Sequence, residues 1–374
     1  MSQTADVIVW GLGGMGSAVA WRLARAGARV LGFDQFGPAH DRGSSHGETR
    51  IIRKAYFEHP HYVPLLQRAY QLWAELEAET HRTLFLRSGL FIAGGPECEA
   101  VRGTRQAAAD HRLPLERLTS AEARREFPAF RFEDRDEVVF EADAGYLLVE
   151  ECVRAQLEVA ARHQADLRFE TPLRDWQVVP GGVRVRTATD EFHAPRLVVT
   201  AGPWAAGLFP GLRVVRKPAF WFPLEASAGA AGRDAAFFFD LPAGQFYGFP
   251  SRDGATFKVA EHTGGEPVAD PHRVDRQLAP RDLAVMRRFL EERRPGAGRE
   301  PTGHSVCLYT LSADQHFVLD RHPTDAGVVV GAGFSGHGFK FTPVVGEVLA
   351  DLALRGATPL PIDFLGWSRF RSAV

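Results

Sequence analysis

Residues 6–16 read D-V-I-V-W-G-L-G-G-M-G, a short apolar run that stops at a cluster of glycines. A run of this length bounded by a glycine turn reads as a buried strand. Ser17 to Ala26 then carries apolar residues at helical spacing and ends at Gly27. R-V-L-G-F-D, residues 29–34, is a second strand that closes on an acid. Gly11, Gly13 and Gly16 satisfy G-x-G-x-x-G, whose glycines allow a tight turn and bring a pyrophosphate close to the helix N-terminus. Asp34 is placed to accept from a ribose 2′-hydroxyl. A bare G-x-G-x-x-G occurs in many glycine-rich turns, but strand, turn, helix, strand and acid together specify a dinucleotide site. Asp34 also disfavours a 2′-phosphate, which leaves NAD or FAD.

Composition narrows the partners. The 374 residues are 45% hydrophobic, enough for a sizeable core, and the formal charge of -2 gives no electrostatic reason to expect nucleic acid or an anionic membrane. Three cysteines (Cys98, Cys152, Cys307) cannot all pair and show no C-x-x-C spacing, which fits a reducing cytoplasm. The N-terminal apolar run carries Asp6 and no basic flank, unlike a signal peptide, and Arg371-Ser372-Ala373-Val374 is not a peroxisomal S-K-L ending. Only four of the 44 Lys plus Arg are lysine (Lys54, Lys217, Lys258, Lys340), so a retained lysine marks a place where a compact ammonium is wanted. No metal site is expected: His59 and His61 flank a proline, and no H-E-x-x-H occurs.

Further along, Tyr62 to Glu79 reads as a helix, residues 100–127 as an Arg/Glu-rich helical region with a solvated face, and 195–204 as a strand returning to the dinucleotide sheet. Residues 235–262 read as antiparallel strands separated by P-A-G and R-D-G turns. V-V-V-G-A-G-F-S-G-H-G-F-K-F-T-P, from Val328, gives a strand, a second glycine-rich loop and a helix after Pro343. A nucleophile elbow would need glycine where His337 stands. A second such loop is redundant in an NAD enzyme, whereas in a flavoprotein a helix N-terminus there can stabilise negative charge on a reduced isoalloxazine. No internal repeat or linker divides the chain, so its domains are interleaved.

Five motifs in order, G-S-S-H-G-E-T-R-I-I-R-K-A-Y (43–56), Y-G-F-P (247–250), F-K-V-A-E-H (257–262), V-C-L-Y (306–309) and G-F-S-G-H-G-F-K-F (333–341), resemble the monomeric sarcosine oxidase and N-methyltryptophan oxidase family. These are flavin-dependent amine oxidases of the D-amino-acid-oxidase-like fold, and the resemblance spans nearly the whole chain. It implies an α/β (α+β) protein, with a Rossmann-like FAD-binding domain (1–84, 141–210, 314–374) interleaved with an antiparallel-sheet substrate domain (85–140, 211–313).

The resemblance implies FAD attached covalently to Cys307 through its 8α position, with Ser44, Thr49, Arg50, Leu173, Gly336, His337, Gly338 and Lys340 around the cofactor. Strand alternation independently puts Cys307 and Tyr309 on one face. By the same resemblance Arg53 and Lys340 meet a substrate carboxylate, Tyr247, Tyr309, His262, His337 and Phe238 line the pocket, and Lys258 activates O₂. Alternation sets Lys258 with Thr256, Ala260 and His262, opposite Phe257 and Val259. Ser45 stands where the family commonly has histidine, and Phe238 where its sarcosine enzymes have methionine; Phe57 and Phe246 are expected to add bulk.

The implied reaction oxidises a secondary amino acid to an imine and passes the electrons to O₂, giving H₂O₂; an N-methyl substrate would yield formaldehyde and the free amino acid. Small-molecule substrate and O₂ are then the only expected partners of a monomer. A carrier-linked flavin dehydrogenase, or an oxidase of cyclic imino acids such as pipecolate, shares the same motifs, and an NAD-dependent dehydrogenase would share only the first glycine loop.

Overall fold

The structure, a computed structural model, describes residues 5–224 and 232–373, with side chains to 370; Val374, the last residue of the C-terminal ending, lies outside them. Val7–Trp10 is the central strand of a six-stranded sheet. It pairs in parallel with Val30–Phe33 on one side and Arg196–Val199 on the other. The sheet runs Val318–Arg321, Val328–Ala332, Arg196–Val199, Val7–Trp10, Val30–Phe33, Asp166–Arg168, and only the first of these is antiparallel to its neighbour. Alternation along the central strand explains its layers. Val7 and Val9 face a core built with helices Gly14–Arg25, Tyr62–Thr80, Val149–Arg162 and Thr342–Arg355. Ile8 faces the opposite way, into a core with Val183, Val185 and Phe192 of a small antiparallel sheet (Asp175–Val179, Gly182–Arg186, Glu191–Ala194). A strand buried on both faces is therefore apolar throughout.

The second large sheet runs Glu266–Val268, Arg213–Pro223, Thr256–Glu261, Gly244–Gly248, Ala236–Leu241, Leu90–Gly94, Glu137–Glu141, Glu116–Thr119, and Gly303–Leu311 pairs along the other edge of Arg213–Pro223. It is antiparallel except where Ala236–Leu241 meets Leu90–Gly94. One face carries Phe91, Phe220, Phe222, Phe237, Phe239 and Phe246, closed by helix Pro280–Arg293. The other face, with Phe238, Tyr247 and Lys258, looks toward the dinucleotide sheet's glycine loops.

Three expectations are corrected. The first helix starts at Gly14, inside the glycine turn, and not at Ser17; tertiary packing overrides the poor helix propensity of glycine there. The 100–127 region is not continuous helix, because strand Glu116–Thr119 separates Glu99–His111 from Ser120–Glu126, whose Thr119/Glu122 capping box restarts the helix. Phe246 adds no bulk to the substrate site: it is buried on the far face, stacked on Phe289 with centroids 4.4 Å apart.

Candidate active site

A single cavity of about 850 Å³ runs between the two large sheets, near the top of the range of roughly 300–1,000 Å³ usual for ligand pockets. At one end its wall is Gly11, Gly13, Asp34 and Leu173. Gly16 is not on the wall, but it makes the turn possible: a Cβ there would lie 1.6 Å from the Gly11 carbonyl oxygen. Asp34 accepts from the backbone N–H groups of Leu12 (2.7 Å) and Phe36 (2.9 Å), which fixes the carboxylate at the cavity edge. Its remaining lone pairs suit a ribose hydroxyl. Two buried polar atoms on the same wall, Trp204 Nε1 and Thr310 Oγ1, have no hydrogen-bond partner among the described residues. Buried polar groups are normally satisfied, so these atoms, the open glycine turn and the fixed acid fit an elongated, polar dinucleotide such as FAD.

Midway, strand Thr49–Ile52 delivers Arg50 to the wall. Its guanidinium donates to the carbonyl oxygens of Ser44 and Thr49 (both 2.8 Å) and to Cys307 Sγ (3.1 Å), while Ser44 Oγ donates to the Leu308 carbonyl. Cys307 and Thr49 are themselves buried one contact behind the wall. Burial pushes the Cys307 thiol up, but the nearby Arg50 and His46 outweigh it and bring the thiol down to about 6. The other cysteines behave oppositely: burial pushes Cys98 up to about 11 and Cys152 well above the usual range. Lys258 is also behind the wall, 4% exposed, and its ammonium donates to the Gly47 carbonyl, the Thr49 carbonyl (3.0 Å) and Thr49 Oγ1 (3.2 Å). Its three protons therefore have three acceptors. Burial and the neighbouring Arg50 pull its pKa down to about 7, against Cys307, Glu150 and Glu48. On the loop opposite, Gly336 and Gly338 line the cavity; Gly336 adopts φ +82° and a Cβ there would come within 2.2 Å of the Tyr309 ring.

At the far end the wall turns aromatic and cationic. Tyr247, Tyr309, His262 and Phe238 converge, with His262 Nδ1 3.3 Å from the Tyr309 hydroxyl and the Phe238 ring 6.1 Å from the imidazole. Burial pushes His262 down to about 3 and His337 to about 4, so both imidazoles are neutral near pH 7. Lys340 donates to the His337 carbonyl (2.7 Å) and lies 3.4 Å from the Tyr56 hydroxyl, and burial together with Arg53 lowers its pKa to about 7. Arg53 lies between the rings of Tyr56 and Phe57, each 4.3 Å from its guanidinium carbon.

Arg53 is not free, which the sequence reading missed. Its guanidinium is held by Glu58 at 2.7 and 2.9 Å. Burial would raise Glu58, but Arg53, His337 and Lys340 hold it down at about 2. A carboxylate of this chain thus already fills the cationic corner. Phe57 stands behind Phe238 (5.4 Å between centroids) and not on the wall, whereas Ser45 does line it. Also missed were His46, beside Cys307, and Glu150, whose side chain accepts from the Gly47 and Glu48 N–H groups. The only sequence signal for Glu58 was its place five residues after Arg53; nothing local marked Glu150. Among the described residues no group of three or more His, Cys, Asp and Glu could hold a metal ion, and no helix is long and apolar enough to cross a membrane.

The chain is 41% identical to monomeric sarcosine oxidase of Streptomyces avermitilis, covering 100% of both chains, and 36% identical to N-methyl-L-tryptophan oxidase of Salmonella heidelberg, covering 95% of each. Its fold matches that of NikD, an unusual amino acid oxidase essential for nikkomycin biosynthesis, with a TM-score of 0.87 at 23% identity over 98% of each chain. It also matches L-proline dehydrogenase from P. horikoshii, with a TM-score of 0.83 at 18% identity over 100% of this chain and 99% of the other. The profile of the FAD dependent oxidoreductase (DAO) family matches residues 6–352, and the chain belongs to that family.

Proposed function

We propose that the protein is an FAD-dependent oxidase of secondary, N-methyl amino acids, of the sarcosine or N-methyltryptophan type. The observation that carries this reading is the continuity of one cavity from the Asp34 turn, past Arg50 and Cys307, to a corner with two cations and five aromatic or imidazole rings. The identity to oxidases of both types supports it. FAD held along the cavity would supply the two-electron acceptor for C–H oxidation beside nitrogen, with O₂ plus two protons as the final acceptor, giving H₂O₂.

The chain's own residues do the rest. The glycine turn, Asp34 and Leu173 would hold the dinucleotide, and Ser44, Arg50, Gly336, Gly338, His337 and Lys340, with Thr49 just behind the wall, would surround its reactive end. Cys307 is the residue that would hold the flavin covalently, through its 8α carbon. Arg53 and Lys340 bind the substrate carboxylate, which replaces Glu58. Phe238, Tyr247, Tyr309 and the neutral His262 and His337 close the pocket around the amine, excluding water and favouring the unprotonated nitrogen that can lose a hydride from its neighbouring carbon. Lys258 supplies fixed positive charge for the oxygen step. The division into FAD-binding segments 1–84, 141–210 and 314–374 and substrate segments 85–140 and 211–313 belongs to the same reading, supported by the membership of the two large sheets. The unpaired state of Cys98, Cys152 and Cys307 supports a reducing cytoplasm, where we place the protein as a monomer.

Anaerobic mixing with sarcosine, N-methyltryptophan, pipecolate and primary amino acids tests the substrate class. Rapid bleaching of the flavin by an N-methyl amino acid is the expected result; bleaching by pipecolate alone would move the assignment to cyclic imino acids. A second expectation concerns the carboxylate. Charge-assisted bonds to a buried carboxylate are worth roughly 1.5–3 kcal/mol each, so Arg53→Met and Lys340→Met should each weaken a small carboxylate inhibitor by about 10- to 100-fold. Glu58→Gln should strengthen it, because the ionised Glu58 competes for the same guanidinium. Unchanged affinity in all three variants would put the carboxylate elsewhere.

A further inference from the structure

The turn that cradles Lys258 is held from behind by one carboxylate. Gly47 and Glu48 both have left-handed backbone, φ +84° and +70°, and a non-glycine residue there is uncommon and signals a conformation imposed by its surroundings. This turn aims the Gly47 and Thr49 carbonyls, with Thr49 Oγ1, at the Lys258 ammonium. Its N–H groups point the opposite way, onto Glu150 in the first turn of helix Val149–Arg162: Gly47 N–H donates to Oε1 at 2.6 Å, and Glu48 N–H to Oε1 and Oε2 at 3.2 and 3.1 Å. A backbone bond reinforces the join, Val149 N–H donating to the Glu48 carbonyl (2.9 Å), and the Glu48 side chain is held in turn by Trp221 Nε1, which donates to its Oε2 (3.1 Å).

We propose that Glu150 is a positioning residue for the oxygen half-reaction, acting on Lys258 through the peptide groups of Gly47 and Glu48. It rests on the reading of Lys258 as the oxygen-activating cation. Two effects combine. The carboxylate fixes a turn that would otherwise relax, and so fixes the ammonium. Its negative charge, relayed through the peptide between Gly47 and Glu48, whose N–H meets the carboxylate and whose carbonyl meets Lys258, favours the protonated amine in a buried place that disfavours it. The groups facing Lys258 are Arg50 from strand Thr49–Ile52, Cys307 from strand Gly303–Leu311, Glu48 and Glu150 from the turn and helix, and the rings of Trp221 and Phe249. Only Glu150 among these grips the turn by two backbone N–H groups. The helix N-terminus favours a carboxylate at that position in any case, but that alone would not require a bond to the Lys258 cradle.

The test uses holoenzyme with Glu150→Gln, which keeps an acceptor and removes the charge, and Glu150→Ala, which removes both. With the reductive and oxidative halves measured separately by stopped flow, reoxidation by O₂ should slow by about 10- to 100-fold in Glu150→Ala and less in Glu150→Gln, while reduction by substrate stays near wild type. Because the chain has only four lysines, isotope-labelled lysine gives four side-chain NMR signals, and the buried Lys258 signal should titrate at lower pH in Glu150→Gln than in wild type. Wild-type reoxidation with an unmoved titration in both variants would overturn the inference, as would equal slowing of both halves. Lys258→Met serves as the separating control. If it reoxidises normally, the oxygen role of Lys258 falls, and the lysine titration alone decides whether Glu150 holds the ammonium.

Discussion

Lys258→Met should be reduced by substrate at close to the wild-type rate but reoxidised by O₂ on the order of 10³-fold more slowly. The first electron to reach O₂ turns a neutral molecule into an anion, and a fixed ammonium stabilises that charge as it develops. At about 4 Å and an effective dielectric near 20 the attraction is roughly 4 kcal/mol, which sets the size of the expected loss. Lys258 is built for this task and not for surface pairing. It faces away from Phe257 and Val259, which are packed in the phenylalanine core, and its ammonium is bonded to the Gly47–Thr49 turn beside Arg50 and Cys307. The substitution also removes one donor from each of the Gly47 and Thr49 carbonyls, which keep the Thr49 N–H (2.9 Å) and the Arg50 guanidinium (2.8 Å) as partners. The near-normal reductive half is therefore the internal control for folding. Stopped-flow absorbance of the pre-reduced flavin mixed with O₂ checks the prediction. Equal reoxidation rates would assign Lys258 to structure and revive the carrier-linked dehydrogenase. The pH dependence has a definite sign: because burial lowers this lysine to about 7, its charge is full below that pH and declines above it, so reoxidation should slow as pH rises through the neutral range.

Some of this site was legible in the chain and some was not, for a physical reason. Val7–Trp10 announces itself because a strand buried on both faces is apolar at every position, and Gly16 because no larger residue could sit against the Gly11 carbonyl. Period-two alternation rightly put Lys258 opposite Phe257. The same rule, applied to Gly244–Gly248, would have sent Phe246 away from Tyr247, as the fold does. Glu58 and Glu150 were invisible for a different reason. A glutamate on a helix or loop carries no local mark of its partner, and the bond from Gly47 to Glu150 depends on the antiparallel pairing of Thr49–Ile52 with Gly145–Leu148, far along the chain. Charged residues whose role is to hold another residue are written in tertiary register and not in local pattern.

Cys307→Ser should abolish covalent attachment while leaving a protein that still binds FAD through the Asp34 turn. Acid denaturation followed by separation from small molecules gives the readout: yellow colour stays with the wild-type polypeptide and leaves with the supernatant in the variant. The thiolate is the reactive form of cysteine. With Cys307 brought down to about 6 and Cys98 pushed up to about 11, the thiolate fractions at pH 7 differ by on the order of 10⁴, so the chemistry is confined to one position. Arg50 is the main lowering influence on Cys307, donating to its sulfur at 3.1 Å. Arg50→Met should therefore raise the thiol pKa and leave a larger share of the FAD unattached in freshly made protein, a share that shrinks on incubation at higher pH. Colour released from the acid-denatured wild type, or retained in Cys307→Ser, would show that the link is absent or lies at another residue. Colour retained equally by Arg50→Met and wild type from the first time point would show that the guanidinium does not govern the attachment.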